Sequence, residues 1–176
     1  MQQLIFMNQM RTIRIEKLTL NIGAGKDQAL LAKGEKLIES LTGIKPIRTK
    51  TQKRIPGWGL RPGLPIGVKL TLRGKVAEAL IPRLLAAKEN KLKPSNLDAV
   101  GNVSFGIPEY IDIEGAKYDP TIGIIGLQAC ITLERPGYRT KRRRIRPAKP
   151  GVEHIIKPEE AQAFMQERFK TRFEEE

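Results

Sequence analysis

One cysteine, Cys130, and one histidine, His154, stand in the whole chain. An internal disulfide is therefore excluded, and no CxxC or HxH set exists to hold zinc. A reducing cytoplasm is the compartment such cysteine usage suggests. Apolar runs stay well short of the roughly 18 residues that a membrane span needs, and the opening MQQLIFMNQM lacks the charged start, long apolar centre and cleavage site of a secretory leader. The chain is expected to remain in the cytoplasm and to have no membrane partner. Residues 1 to 11 are weakly patterned, which leaves the start open among Met1, Met7 and Met10. Aromatic residues are also scarce, at 5%, with Trp58 the sole tryptophan.

Acids are missing from two windows. From Arg48 to Lys75 and from Arg135 to Lys149 each window carries eight bases and no acid, and together they hold 16 of the 32 Lys and Arg. Elsewhere 16 bases face 19 acids, so the whole formal charge of +13 resides in these two stretches. A charge of this size concentrated in this way points to a polyanion as partner. At 176 residues the chain fits one domain, 1-176, with a core of ordinary size.

Recognisable chemistry is equally sparse. The turn GAGKD after the first strand lacks the first glycine and the final Ser/Thr of a phosphate-binding loop, and Gln28 stands where a dinucleotide motif has its third glycine. The simpler reading makes Asp27 the N-cap of a helix. Glu109, Asp112, Glu114 and Asp119 share an irregular stretch without an accompanying base or phosphate loop, so they read as a surface loop rather than a catalytic pair. Cys130 has no partner base, and His154 before an Ile-Ile pair reads as structural. No catalytic residue, cofactor or metal site is expected.

Periodicity supplies the framework. In RIEKLTLNIG, Leu18, Leu20 and Ile22 alternate with Lys17, Thr19 and Asn21, and the opposite parity of Ile13 and Ile15 predicts a bulge near Glu16. A helix follows through QALLAKGEKLIESL with Leu30, Gly34, Leu37, Ile38 and Leu41 on one face and Gly43 as its left-handed cap. Gly34 marks a close approach to the sheet. IKPIRTKTQK reads as a second strand at an edge. PIGVKLTLRG reads as a third, with Ile66, Val68, Leu70 and Leu72 inward and Lys69, Thr71 and Arg73 outward. KVAEALIPRLLAAKEN is helical through Val76, Ala79, Leu80, Leu84 and Ala87, with Pro82 kinking it or starting a second helix. Lys91 to Gly101 reads as loop, NVSFGI as a short strand, and GLQACITLERP as the last strand, with Gln128, Cys130 and Thr132 on its outer side. A terminal helix at about 158–171 opens with Pro158, Glu159 and Glu160 and buries Ala161, Phe164, Met165 and Phe169.

Two segments resist this framework. Arg54 to Pro65 has three prolines and three glycines in twelve residues. It is a long basic loop between strands 2 and 3, with too few apolar residues to fold back, and it presents Trp58 at its tip. The basic stretch 135–151 has one apolar anchor, Ile145, after Tyr138 and is expected to be disordered until an anion neutralises it.

The ordered motifs KLTLNIGAG, TGIKPIRTKTQKRIPGWGLRPGLPIGVKLTLRG, FGIPEYIDIEG and GLQACITLERPGYRTKRRR resemble the universal ribosomal protein five family, in its archaeal and eukaryotic branch. The resemblance covers about residues 10 to 170. It implies an α+β fold, an open antiparallel sheet of about five strands with helices packed on one face. It further implies a non-enzymatic part of the large ribosomal subunit, located in the central protuberance among neighbouring ribosomal proteins, with 5S rRNA, large-subunit rRNA and P-site tRNA as partners. The family's RNA-contacting positions match Asn21, Thr71 and Arg73, residues that alternation places outward. Where many bacterial members have a glutamine after the first helix, this chain has Ile44, and a polar contact there is not expected. To the rRNA surface the basic windows and the outward parity add Lys17, Arg48, Lys50, Lys69, Arg139, Lys141, Arg142, Arg143, Arg144 and Arg146. The loop contributes Arg54, Gly57, Trp58 and Arg61, for which the resemblance implies the tRNA elbow as target. The competing readings, an RNA-modifying enzyme or a nucleotide-dependent RNA-binding factor, would need a nucleophile, base or cofactor loop that the sequence lacks.

Overall fold

A computed structural model describes residues 8–174; Met1 and Met7, two of the three possible starts, lie outside them. Five antiparallel strands form an open sheet: β1 (Arg14–Gly23), β2 (Ile47–Lys50), β3 (Pro65–Leu72), β5 (Val103–Ile107) and β6 (Leu127–Glu134), in the order β2-β3-β1-β6-β5. Alternation decides which side faces inward. Leu18, Leu20 and Ile22 of β1, Val68, Leu70 and Leu72 of β3, and Leu127, Ala129, Ile131 and Leu133 of β6 are all buried. The expected bulge is real, since the pairing of β1 with β6 shifts between Ile15 and Lys17.

Helices α1 (Gln28–Thr42) and α2 (Gly74–Ala86) cover that apolar side. At the start of α1, the Asp27 carboxylate accepts from the amides of Ala29 and Leu30, and Gly43 closes it at φ 68°. Both caps follow the sequence reading, and Asp27 is thereby used in capping. A Cβ on Gly34 would stand 3.3 Å from Ile22 Cγ2, so glycine is what lets α1 settle onto β1. The buried stripe of α1 includes Leu31, while Leu30 and Leu41 pack only partly.

Helix α2 departs from expectation twice. It runs unbroken through Pro82, and its buried residues are Ala77, Leu80, Ile81, Leu84 and Leu85, with Val76 exposed. The helix begins directly at the end of β3, so Val76 lies in its first turn, ahead of the turns that pack.

Two further elements escaped the periodic reading. The expected loop after α2 contains β4 (Lys91–Leu92), which pairs in parallel with β7 (Arg172–Phe173). Leading into β7 is α4 (Pro158–Phe169), which buries Ala161 and Met165 and half-buries Phe164 and Phe169. Arg168 Nη2 donates to Glu78 Oε2 at 2.8 Å, tying α4 to α2. Strands of two residues carry no readable period, which is why sequence alone left them out.

Candidate nucleic-acid interface

The side of the sheet opposite the helices is polar. Cross-strand partners share a face, and the register lines them up in rows. Lys69 stands opposite Asn21, and Asn21 opposite Gln128. Thr71 stands opposite Thr19, Thr19 opposite Cys130, and Cys130 opposite Ser104. Lys17 faces Thr132, and Arg73 continues the parity of Lys69 and Thr71 one step past β3. Across these rows there is no acid. Asn21 Nδ2 donates to Gln128 Oε1 at 3.0 Å, which orients both amides. Among the described residues Lys17, Lys69 and Arg73 make no ion pair, so their charge faces solvent. Burial pushes the Cys130 thiol up, with Lys69 pulling the other way, which disfavours the reactive thiolate.

Sequence reasoning placed Lys17, Asn21, Lys69, Thr71 and Arg73 on this face, and the register brings them together. It did not include Thr19, Ser104, Gln128 and Thr132 among the contact residues, although the same alternation in β1, β5 and β6 marks them. Arg48 differs. Its partner is the buried Val68, so it belongs to the helix-bearing side. There its guanidinium forks onto Glu35 of α1, with Nη2 to Oε2 at 2.8 Å. That hydrogen bond holds the Glu35 carboxyl below its usual range. Lys50, at the end of β2, is exposed.

The expected disorder of the second basic window is not what the structure contains. Arg135 is buried and donates from Nη2 to Glu160 Oε1 at 2.7 Å. Helix α3 (Arg139–Arg142) makes one turn, and Arg142 then reaches two acids at the end of the open face: Glu16 Oε1 at 3.1 Å and Glu134 Oε2 at 2.8 Å. Glu134, itself buried, also receives Arg14 Nη2 at 2.7 Å. The chain folds back where Ala148 N donates to Thr140 O at 3.1 Å and Arg143 Nε to Arg146 O at 2.6 Å. His154 serves as a clamp at the base. Its Nε2 lies 2.8 Å from Pro136 O, and its carbonyl accepts from Tyr138 OH at 3.0 Å. Internal acids neutralise two of the window's bases, Arg135 and Arg142, and backbone hydrogen bonds hold the fold of the arm. Arg139, Lys141, Arg143, Arg144 and Arg146 remain exposed.

The 54–65 loop is also more ordered than its composition suggests. Ile55 and Leu60 exchange backbone hydrogen bonds, each at 3.1 Å, and Thr51 N donates to Leu64 O at 2.9 Å. Leu60 is buried, so one apolar residue suffices to fold the loop back on itself. The turn Pro56–Trp58 at its tip leaves Trp58 70% exposed. Arg54, Gly57 and Arg61 are exposed around it.

The acidic stretch has local duties. Asp119 accepts from the Thr121 amide and hydroxyl at 2.8 Å each, and its own amide donates to Tyr110 OH at 3.0 Å. Among the described residues no helix is long and apolar enough to cross a membrane.

Comparison with known proteins finds relatives over most of the chain. Residues 8–61 match the family described as ribosomal protein L5, and residues 65–169 match the C-terminal part of the same ribosomal family. Relatives named large ribosomal subunit protein uL5 include one from Nanoarchaeum equitans, 52% identical over 159 residues, covering 90% of this chain and 94% of the relative. The protein of that name from Sulfurisphaera tokodaii is 47% identical over 163 residues, 92% of each chain. Another from Methanosphaera stadtmanae is 46% identical over 169 residues, 96% of this chain and all of the relative.

Proposed function

The chain belongs to the ribosomal protein L5 family, and from that premise we propose that it binds 5S rRNA through the open face of its sheet. It is a structural protein of the large ribosomal subunit, not an enzyme, and it acts in the cytoplasm as part of the ribosome. The observation that carries the proposal is the surface formed by the paired rows of β3, β1 and β6, where Lys17, Lys69 and Arg73 supply charge beside Thr19, Asn21, Thr71, Gln128 and Thr132, while the two acids at its end, Glu16 and Glu134, are already paired with arginines. Cations without internal partners neutralise phosphates, and short amides and hydroxyls read the sugar edge and irregular shape of folded RNA. Lys50 and the exposed bases of the arm, Arg139, Lys141, Arg143, Arg144 and Arg146, extend that surface toward neighbouring large-subunit rRNA and the proteins of the central protuberance. Arg48 and Arg142 serve chiefly to hold the protein together, being spent on Glu35 and on Glu16 and Glu134.

The 54–65 loop contacts P-site tRNA in this reading. Its tip offers a flat indole, Trp58, between Arg54 and Arg61, beside the open backbone of Gly57, a combination suited to stacking on an exposed base or ribose. The two matched segments act as one RNA-binding domain, because β1 from the first is hydrogen-bonded to β3 and β6 from the second.

Arg73→Ala is the direct test. With the fold intact by circular dichroism, the affinity for 5S rRNA should fall by about 1 to 3 kcal/mol. Unchanged affinity in a folded Arg73→Ala protein would remove the open face from the interface.

A further inference from the structure

A cavity of about 800 Å³ lies where the basic arm folds over the end of the open face. We propose that it receives one unstacked nucleotide of the bound RNA, with the base against its apolar wall and the phosphate among its lysines and Arg73. This rests on the reading that the open face binds RNA, and it adds a built receptacle to what is otherwise a flat surface.

Charge is the first argument. Lys17, Arg73, Lys141 and Lys149 line the cavity, and among the described residues none of them has a carboxylate partner. The acid in the wall, Glu16, is already neutralised by Arg142 at 3.1 Å. Four unpaired cations around a neutralised floor make an anion site.

The apolar wall is the second argument. Val100, Tyr138, Val152 and Ile155 are among the other residues of the lining. Val100 is 44% exposed and Val152 84%, an unusual position for aliphatic side chains surrounded by cations. Inorganic phosphate gives no reason for the valines, and an apolar ligand gives none for the cations. A nucleotide has both a flat, weakly hydrated base and an anionic phosphate. Continuity decides for RNA over an acidic peptide. Lys17, Arg73 and Thr132 belong both to the open face and to the cavity, so a strand lying along β1 and β3 arrives at its mouth.

The full-length chain, labelled at valine and isoleucine methyl groups, is titrated with adenosine 5′-monophosphate and separately with inorganic phosphate, and the signals of Val100, Val152 and Ile155 are followed. The nucleotide should shift all three saturably. In a Val100→Ser, Val152→Ser double variant, which touches only exposed side chains, its affinity should fall by about tenfold, while that for inorganic phosphate stays unchanged. The proposal is overturned if the nucleotide leaves these methyls unmoved, if phosphate alone binds as tightly, or if a hexaglutamate peptide shifts them at lower concentration. Retention of 5S rRNA by the wild-type chain, measured in the same buffer, separates the two readings. Retention with an unresponsive cavity defeats only this inference, whereas no retention defeats the RNA-binding face itself.

Discussion

Asn21 and Gln128, 107 residues apart in sequence, are joined across β1 and β6 by a 3.0 Å hydrogen bond from Asn21 Nδ2 to Gln128 Oε1. The bond uses one of the two amide donors of Asn21 and fixes the direction of the other. Removing Gln128 should therefore cost RNA affinity indirectly, by about 0.5 to 1.5 kcal/mol, because the Asn21 amide must then be ordered on binding. In a double-mutant cycle Gln128→Ala should cost little in an Asn21→Ala background. Full additivity would show that the two amides act separately.

Cys130 reports on occupancy of the same face. Burial raises its thiol above the ordinary value, so alkylation by iodoacetamide at neutral pH should be slow in the free protein and faster in urea. Saturating 5S rRNA should slow it by a further large factor. Equal rates with and without RNA would mean that the bound RNA leaves this row uncovered.

The bases of the arm divide by partner. Replacing Lys141, Arg144 and Arg146 by Gln should flatten the salt dependence of RNA binding by up to about three units of log slope, with little change in stability. Arg142→Gln should do the reverse, loosening the arm and lowering stability by about 1 kcal/mol with a smaller effect on the slope. Salt titrations and urea melts of the two variants check the assignment, which fails if their effects are exchanged.

At the loop tip, Trp58→Ala should leave thermal stability nearly unchanged, within about 0.5 kcal/mol, because the ring is mostly in water. P-site tRNA binding to subunits assembled with the variant should weaken by about 1 to 3 kcal/mol. Replacing Leu60 instead should unfold the loop itself. Normal tRNA binding by Trp58→Ala subunits would place the loop against another partner.

Acid should release the terminal helix before the sheet. The Glu160 carboxyl is held below its usual range, first by the Lys157 amide and then by Arg135. A lowered folded-state pKa gives stability that is complete above the unfolded glutamate value and is lost as pH falls through the folded one. Helix α4 should thus loosen on acidification in that window, seen as lower amide-exchange protection factors, relative to the intrinsic rate at each pH, at Ala161 and Met165. Glu160→Gln should remove that part of the pH dependence; an unchanged acid profile would assign the loss to other carboxylates.

Much of this architecture was legible because alternation is a strong signal in long strands. Lys17, Asn21, Lys69, Thr71 and Arg73 could be assigned to one face without coordinates, as could the bulge at Glu16 and the caps Asp27 and Gly43. Counting charge in a window assigns Arg48 to the rRNA surface, but the count says nothing of which side of the sheet that residue occupies. Its parity opposite Val68, and hence its pairing with Glu35, depends on the register of a four-residue edge strand, which no local pattern fixes. The order of the arm was hidden for a related reason. Composition reports that a segment is basic, but Glu16 and Glu134 come from strands whose residues lie 126 and 8 positions from Arg142, and only the fold brings them to it.

The central position of β1 also sets the timetable of folding. Both its neighbours come later in the chain: β3 starts at Pro65, and β6 ends at Glu134, which bonds Arg14 across 120 residues. During synthesis β1 waits with both hydrogen-bonding edges open until β3 emerges, and one edge stays open until β6 follows. Non-local pairing of this kind puts the chain among slow folders, and an unpaired apolar strand held open that long invites association with other nascent chains. The completed sheet is cooperative, but its assembly is late, and the interval before β6 arrives is when a chaperone has most to protect.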